Sequence, residues 1–223
     1  MTIHTREVGE AILLSLNVPP MNTLGIEQVQ QLKRFFQEHP NRKPLVITGT
    51  GPAFSAGVDT KLFASYNTME RAQLFEEITG MTAAIMSISA PVVAAVNGHA
   101  MGGGMVLVLC TDYRVVVEGN AKFGLTEASA GIAFPQGPAA VISHELGPNL
   151  LRRLTLASCI VKADDLIREG VFDEVVEADR LIDTALQRAA FLAKQPAFSD
   201  VKLQVRGKLA TLLEAMTSDS APG

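Results

Sequence analysis

Apolar and polar positions alternate with three different periods along the chain. "IHTREVGEAILLSLN" reads as two strands turning at Gly9, with Ile12, Leu14 and Leu16 on one face. "TLGIEQVQQLKRFFQEHP" has helical spacing and stops at Pro40. "KPLVITGT" and "APVVAAVNG" are short unbroken apolar runs bounded by Pro and Gly, the pattern of strands buried on both faces. Between them, "GPAFSAGVD" reads as a turn-rich loop with Asp59 placed to cap the segment after it. Residues 68–88 are expected to be helical, with Met69, Ala72, Phe75, Ile78, Met81, Ile85 and Ile88 near one face. The glycine run at Gly102 opens a helix through Cys110, and "DYRVVVE" is a third strand. "AKFGLTEASAGIAFPQGP" is irregular, and the chain from Pro138 is mostly helical. One strand, "VFDEVVE", interrupts that region before a helix from Ala178 to Lys194. Alternating strands and helices make the class α/β, in one domain with helices concentrated toward the C-terminus. No repeat of 20–50 residues and no low-complexity linker is visible.

Composition narrows the function classes. The chain has 223 residues, 48% of them hydrophobic, which suffices for a substantial core. A net charge of −4, no basic block and no Trp argue against a nucleic-acid-binding module. Cys110 and Cys159, both in helix-like apolar contexts, form no CxxC pair, and a reduced, cytoplasmic protein is expected. No cationic segment leads into an apolar one in residues 1–20, and no 18-residue apolar span occurs elsewhere, so a soluble, unprocessed protein without membrane contact is expected.

The stretch "VNGHAMGGGMVLVLCTD" sets three glycines ahead of an apolar helix. Helix N-termini carry N–H groups without internal partners, so phosphate is the first ligand to test. The stretch lacks both the GK[ST] ending of a P-loop and the G-x-G-x-x-G spacing of a dinucleotide site. Two readings remain: the glycines admit something close to the backbone, or they only let the helix pack tightly on the sheet.

"AFSAGVD", "AAVNGHAMGGG", "DYRV" and "AKFGLTEASAGI" occur in that order, and together they resemble the crotonase, or enoyl-CoA hydratase/isomerase, superfamily. The resemblance runs from about Ile12 to about residue 210. It implies a crotonase-like spiral of ββα units with a helical C-terminal region: a core over 1–195 and a short helical extension over 196–223. Acyl-CoA thioesters are the implied substrates, and no cofactor is needed because CoA arrives with the substrate. The implied oxyanion-hole donors are the backbone N–H groups of Val58 and Gly103. Backbone around Ser55, Ala56 and Asp59 is implied to border CoA, although Asp59 reads equally well as a helix cap. Lys61 meets a CoA phosphate or is a solvated surface lysine. The family assembles as homotrimers, often paired as hexamers, through a tail beyond the helix near Pro196; here "ATLLEAMTSDSAPG" ends the chain soon after that helix, which weakens the trimer expectation.

Hydratases of this family use two glutamates, one three residues past the middle glycine and one in an "FGxxE" loop. Here the first position is Val106 and the second is Glu127. Residues i and i+3 share a helix face, so Val106 makes dry the wall where a water-holding carboxylate would stand. A single carboxylate suits Δ3,Δ2-enoyl-CoA isomerisation, with Glu127 as the only acid/base. The alternatives are an enoyl-CoA hydratase or acyl-CoA decarboxylase of the same fold, or a non-catalytic CoA-thioester binding subunit. Taken alone, Glu127 could be a surface carboxylate; its place in "FGLTEAS" favours catalysis.

Four further features are tested against blander readings. His99 reads as packed or hydrogen-bonded rather than as a base. His4, His39 and His144 lack i, i+4 partners, so no metal site is expected. Ser55 in "AFSAG" suggests a nucleophile elbow, but Ala53 stands where that motif has glycine. Phe63 and Phe134 are the candidates for lining an acyl pocket.

Overall fold

A computed structural model describes residues 3–39 and 42–218. Pro40 and residues 219–223 of the expected extension lie outside them. The chain winds in turns, each made of a strand in a large sheet, a short strand beside it and a helix.

The first turn holds β1 (Ile3–Val8), β2 (Ala11–Leu16), the short β3 (Thr23–Leu24) and α1 (Ile26–Glu38). β1 and β2 form an antiparallel hairpin at Gly9, where φ is +60°. The second turn holds β4 (Leu45–Gly49), β5 (Ala53–Ser55), β6 (Gly57–Val58), α2 (Thr60–Ser65) and α3 (Thr68–Met86). The third holds β7 (Val92–Val96), β8 (His99–Met101) and α4 (Gly103–Leu109); the fourth holds β9 (Tyr113–Val117), β10 (Phe123–Gly124) and α5 (Gln136–Glu145). α6 (Pro148–Leu154), α7 (Ala163–Arg168), β11 (Glu174–Val176), α8 (Leu181–Ala193) and α9 (Phe198–Ser218) complete the chain.

The large sheet has the order β1-β2-β4-β7-β9-β11 and is parallel beyond the hairpin. Its central strands β4 and β7 are apolar on both faces because both are covered, whereas the edge strand β1 is largely exposed. Leu14, Leu16, Leu45, Ile47, Val92, Ala94 and Val96 face the main core beneath α1, α3, α4 and α5. Leu13, Val46, Val93, Ala95 and Val115 face Leu181, Ala185 and Ala189 of α8. α9 packs on α3 and α5.

The expected strands and helices of the large sheet form where the patterns place them, with four differences. "GPAFSAGVD" contains β5 and β6, the glycine stretch contains β8, and "AKFG" contains β10. Strands of two or three residues are too short for alternation to show. Cys159 lies in a loop, not a helix, and both cysteines are free. α3 is wrapped on nearly every side over its second half, from Ile78 to Met86, whereas Met69 is 82% exposed and belongs to no buried face. The C-terminal helices start at Gln136 and, after a 3-10 turn over Ala178–Arg180, at Leu181.

Five short strands, β3, β5, β6, β8 and β10, position the site. β10, β8 and β5 form a small parallel sheet, and β6 pairs with β3. Two side-chain amides, one of them buried, hold the loop that leads into β5. Asn22, at φ +51° and 1% exposed, accepts from Val18 N–H at 2.8 Å and donates to the carbonyls of Thr50 at 2.9 Å and Ala53 at 2.8 Å. Asn97 accepts from Gly49 N–H at 2.9 Å and donates to Gly51 O at 3.0 Å. Asn22→Ala strands one donor and two acceptors and puts a Cβ without a local hydrogen bond at positive φ. It is expected to cost at least about 2 kcal/mol in urea unfolding; a loss below about 0.5 kcal/mol, the range of ordinary surface changes, would contradict this role.

Candidate active site

The carboxyl ends of β5, β8 and β10 point the same way, and each runs directly into one candidate segment. Residues 56–58 follow β5, Gly102 and Gly103 follow β8, and Leu125 to Glu127 follow β10. Segments after neighbouring parallel strands arrive side by side, which is why ligand sites of parallel sheets lie at that edge. Gly102 N–H donates to Gly124 O at 2.8 Å and ties two of the three together.

Each glycine of the run meets a different constraint. Gly102 has φ +51°, and a Cβ there would lie 2.8 Å from Oε1 of Glu127. Gly104 presses on the backbone of β5, where a Cβ would lie 2.2 Å from Ser55 O. Gly103 has more space: the nearest atoms to a Cβ there would be Leu24 Cδ1 at 3.5 Å, Gly57 Cα at 3.8 Å and Val58 N at 4.0 Å, all ordinary van der Waals contacts. The tight-packing reading holds at Gly104, and at Gly102 the group that comes close is the Glu127 carboxylate.

Two N–H groups border that space. Gly103 is the first residue of α4, and the first intrahelical bond is made later, by Val106 N–H to Gly102 O at 3.0 Å. Val58 lies on β6. Asp59 N–H donates to Leu24 O at 3.1 Å, and N–H groups alternate along a strand, so that of Val58 points away from β3. Gly57, at φ +76°, lets the segments meet; a Cβ there would lie 2.8 Å from Gly103 N and 2.5 Å from Met101 O. The N–H groups of Val58 and Gly103 thus lie near each other, with Val58 N 4.0 Å from where a Gly103 Cβ would stand.

Glu127 covers the same place from the other side. Its loop is self-tied, with Ala130 and Ile132 N–H both donating to Glu127 O at 3.0 Å. The carboxyl rests over Gly102, and its Oε2 is fully enclosed without a hydrogen-bond partner. Burial pushes the carboxyl up to about 7, only slightly offset by the residue's own N–H. Val106, three residues past Gly103, is 1% exposed within the main core.

The remaining sequence candidates divide. Ser55 is fully buried beneath the site: its hydroxyl donates to Asn22 O at 2.7 Å and accepts from Gly57 N–H at 3.1 Å. It is a post under the loop and no nucleophile. Ala56 is half-buried, its N–H held by Met21 O at 2.9 Å. Asp59 caps α2, accepting from Lys61 N–H at 3.1 Å and Leu62 N–H at 2.9 Å, while Thr23 donates to its other oxygen at 3.3 Å. Lys61 is exposed on the first turn of α2. Phe63 stacks on Phe75 at 5.8 Å, with the Arg71 guanidinium 5.0 Å from its ring. Phe134 lines a cavity of about 650 Å³ that starts at Ala128, one residue past Glu127, and is walled by Ile132, Ile142 and Leu151. His99 accepts from Lys122 N–H at 2.9 Å, as a hydrogen-bonded histidine. Among the described residues no group of three or more His, Cys, Asp or Glu could hold a metal ion, and no helix is long and apolar enough to cross a membrane. Sequence reasoning missed Asn22 and Asn97, whose only signal was an Asn beside turn residues, "PPMN" and "VNG".

Comparison with known proteins agrees with this arrangement. The enoyl-CoA hydratase/isomerase family model matches residues 7–217. The chain belongs to that family. It is 33% identical to the mevalonyl-coenzyme A hydratase of Aspergillus fumigatus over 82% of this chain and 69% of that protein. It is 30% identical to the crotonyl-CoA hydratase of Syntrophomonas wolfei over 97% of this chain and 83% of that one. Among solved structures, DspI of Pseudomonas aeruginosa superposes with a TM-score of 0.85 at 29% identity, covering 93% of this chain and 81% of DspI. This enoyl-CoA hydratase/isomerase family member is thus an enzyme of acyl-CoA metabolism with the crotonase fold.

The carboxyl of Glu127 gives a test that needs no substrate. A folded value near 7 against an unfolded value near 4.5 means that the native state binds more protons between those pH values, so stability falls as pH rises through that window. Glu127→Gln removes this cost. The variant is expected to match wild type below about pH 4.5 and to exceed it by up to about 3 kcal/mol above pH 7. A difference independent of pH would contradict the buried, unpartnered carboxyl.

Proposed function

We propose that the protein is a Δ3,Δ2-enoyl-CoA isomerase in which Glu127 is the only acid/base. The thioester oxygen sits between the N–H groups of Val58 and Gly103. Glu127 takes a proton from C2 of a 3-enoyl-CoA, and the electron pair moves onto the thioester oxygen as a dienolate. The same carboxyl then delivers its proton to C4, leaving the double bond between C2 and C3. A carboxyl near 7 is balanced between the two duties. Preorganised backbone donors at the developing oxyanion are each worth ~10²–10³ in rate. Ala56 and Asp59 border the thioester entrance, Lys61 is placed on the solvent side for a CoA phosphate, and Phe134 lines the cavity next to the Glu127 loop. The carrying observation is the lone carboxylate: Glu127 is enclosed over Gly102 while buried Val106 occupies the helix position from which a second glutamate would hold water.

A second reading, enoyl-CoA hydratase, draws on the names of the two relatives, both hydratases. It requires a water positioned by some group other than a carboxylate at 106. Product analysis separates the readings. With cis-3- or trans-3-enoyl-CoA, wild type is expected to give trans-2-enoyl-CoA with negligible 3-hydroxyacyl-CoA. Glu127→Gln is expected to lose about 10²–10⁴ of that rate. Rapid hydration of trans-2-enoyl-CoA would favour the hydratase reading, and tight binding without turnover of any enoyl-CoA would overturn both.

A further inference from the structure

A cluster of five charged side chains lies at the opposite end of α4 from Gly103 and takes no part in the proposed chemistry. Its members are Asp112, Arg114, Glu145, Lys202 and Arg206, each with a side chain no more than 13% exposed. Arg114 forms an ion pair with Glu145, and Arg206 reaches the other oxygen of Glu145 at 2.9 Å. Asp112 accepts from Arg206 at 3.2 Å, from Lys202 at 2.7 Å and from Val92 N–H at 2.8 Å.

The cluster does more than pair charges. The carbonyls at the C-terminal end of a helix have no partners within it. Here two guanidiniums donate to carbonyls of its last two residues and of the two residues that follow. Arg114 donates to Val108 O at 3.1 Å, Leu109 O at 2.8 Å and Thr111 O at 3.2 Å. Arg206 donates to Cys110 O at 3.3 Å and Thr111 O at 3.1 Å. Lys202 shares Asp112 but donates to Ala90 O at 3.0 Å and to none of these four carbonyls. Buried ion pairs contribute little net stability, because desolvation offsets their attraction. Two of these five bonds, both from Arg114, end on carbonyls of α4 itself, and the other three end on Cys110 and Thr111 directly after it, so that together they hold the C-terminal end of α4 in place. α4 is seven residues long and lies between Gly102, tied to Gly124 O, and these two arginines. Any slide or tilt of the helix moves Gly103 N–H relative to Val58 N–H, which rides on a different strand.

We propose that Arg206, on the C-terminal helix α9, is a positioning residue for the oxyanion hole, acting with Arg114 through α4. The inference rests on the reading of Val58 and Gly103 as the donors to a thioester oxygen. It makes the docking of α9 part of the catalytic geometry, although α9 contributes nothing to the reacting atoms.

The test reads the hole itself. The infrared or Raman carbonyl frequency of trans-2-enoyl-CoA, labelled with ¹³C at the thioester carbon, is measured free and bound to wild type, Arg206→Lys, Arg206→Met and Lys202→Met. Wild type is expected to lower the frequency, because two donors polarise the carbonyl. Arg206→Met is expected to lose most of that shift and about 10–100-fold in kcat, with KM within about threefold, as for a misplacement on the order of 1 Å. Arg206→Lys restores part of both. Lys202→Met, which removes a charge from the same helix and the same Asp112, keeps the wild-type shift whatever it does to thermal stability. If Arg206→Met folds and retains the full shift, or if Lys202→Met loses as much of it, Arg206 is only a structural residue and the proposal fails. If Arg206→Met does not fold, Arg206→Lys decides by the same shift. If wild type binds the ligand without any shift, the reading of the hole fails, and this inference with it.

Discussion

Three strands of two or three residues carry the whole arrangement. β5, β8 and β10 pair in parallel, so three segments distant in sequence leave the small sheet at the same edge. Val58, Gly103 and Glu127 need no long-range side-chain contacts to find one another; backbone pairing brings them together. Its requirements are steric. Gly57 and Gly104 stand where any Cβ would strike neighbouring backbone, and Gly102 stands where a Cβ would displace the Glu127 carboxyl. The rest of the molecule is a frame for this edge. The large sheet sets the spacing of the turns, Asn22 and Asn97 fix the loop before β5, and Arg114 and Arg206 hold the far end of α4.

The site combines strong preorganisation with a carboxyl kept in an unfavourable place. On the proposed reading the N–H groups of Val58 and Gly103 face the position where negative charge develops, while Glu127 lies desolvated over the neighbouring Gly102. Removing water raises the carboxyl's proton affinity and strengthens any charge–dipole interaction in the cleft. On the proposed reading, Val106 keeps that wall apolar. On that reading a glutamate there would bring in water and a second negative charge and with them a different reaction, as expected where function resides in the site and not in the fold.

Much of this was legible from sequence, and the misses share a cause. Long strands showed as apolar runs, α1 as a helical stripe, and Asp59 as a cap, because each involves enough neighbouring residues to leave a period or a known local partner. Glu127 and the glycines were found through motif resemblance. β5, β6, β8 and β10 were missed because their pairing is entirely long-range and two or three residues carry no period. Backbone around Ser55 was implied to border CoA by resemblance; the residue is fully buried, with its hydroxyl a post under the loop. Met69 stood near helical spacing, but the first turns of α3 project beyond the core and leave it exposed. The Arg206 half of the arginine grip joins positions that lie 95 and 96 residues apart, beyond any local pattern.

The central claim is that one shielded carboxyl both removes and returns the proton. It is tested most directly by converting 3-enoyl-CoA deuterated at C2 in ordinary water and locating the label in the trans-2-enoyl-CoA formed. A single enclosed Glu127 predicts that a substantial fraction of the deuterium lost from C2 reappears at C4 within one turnover. Complete loss of that deuterium to solvent, with only protium arriving at C4, would mean that water or a second group carries the proton, and would contradict the account.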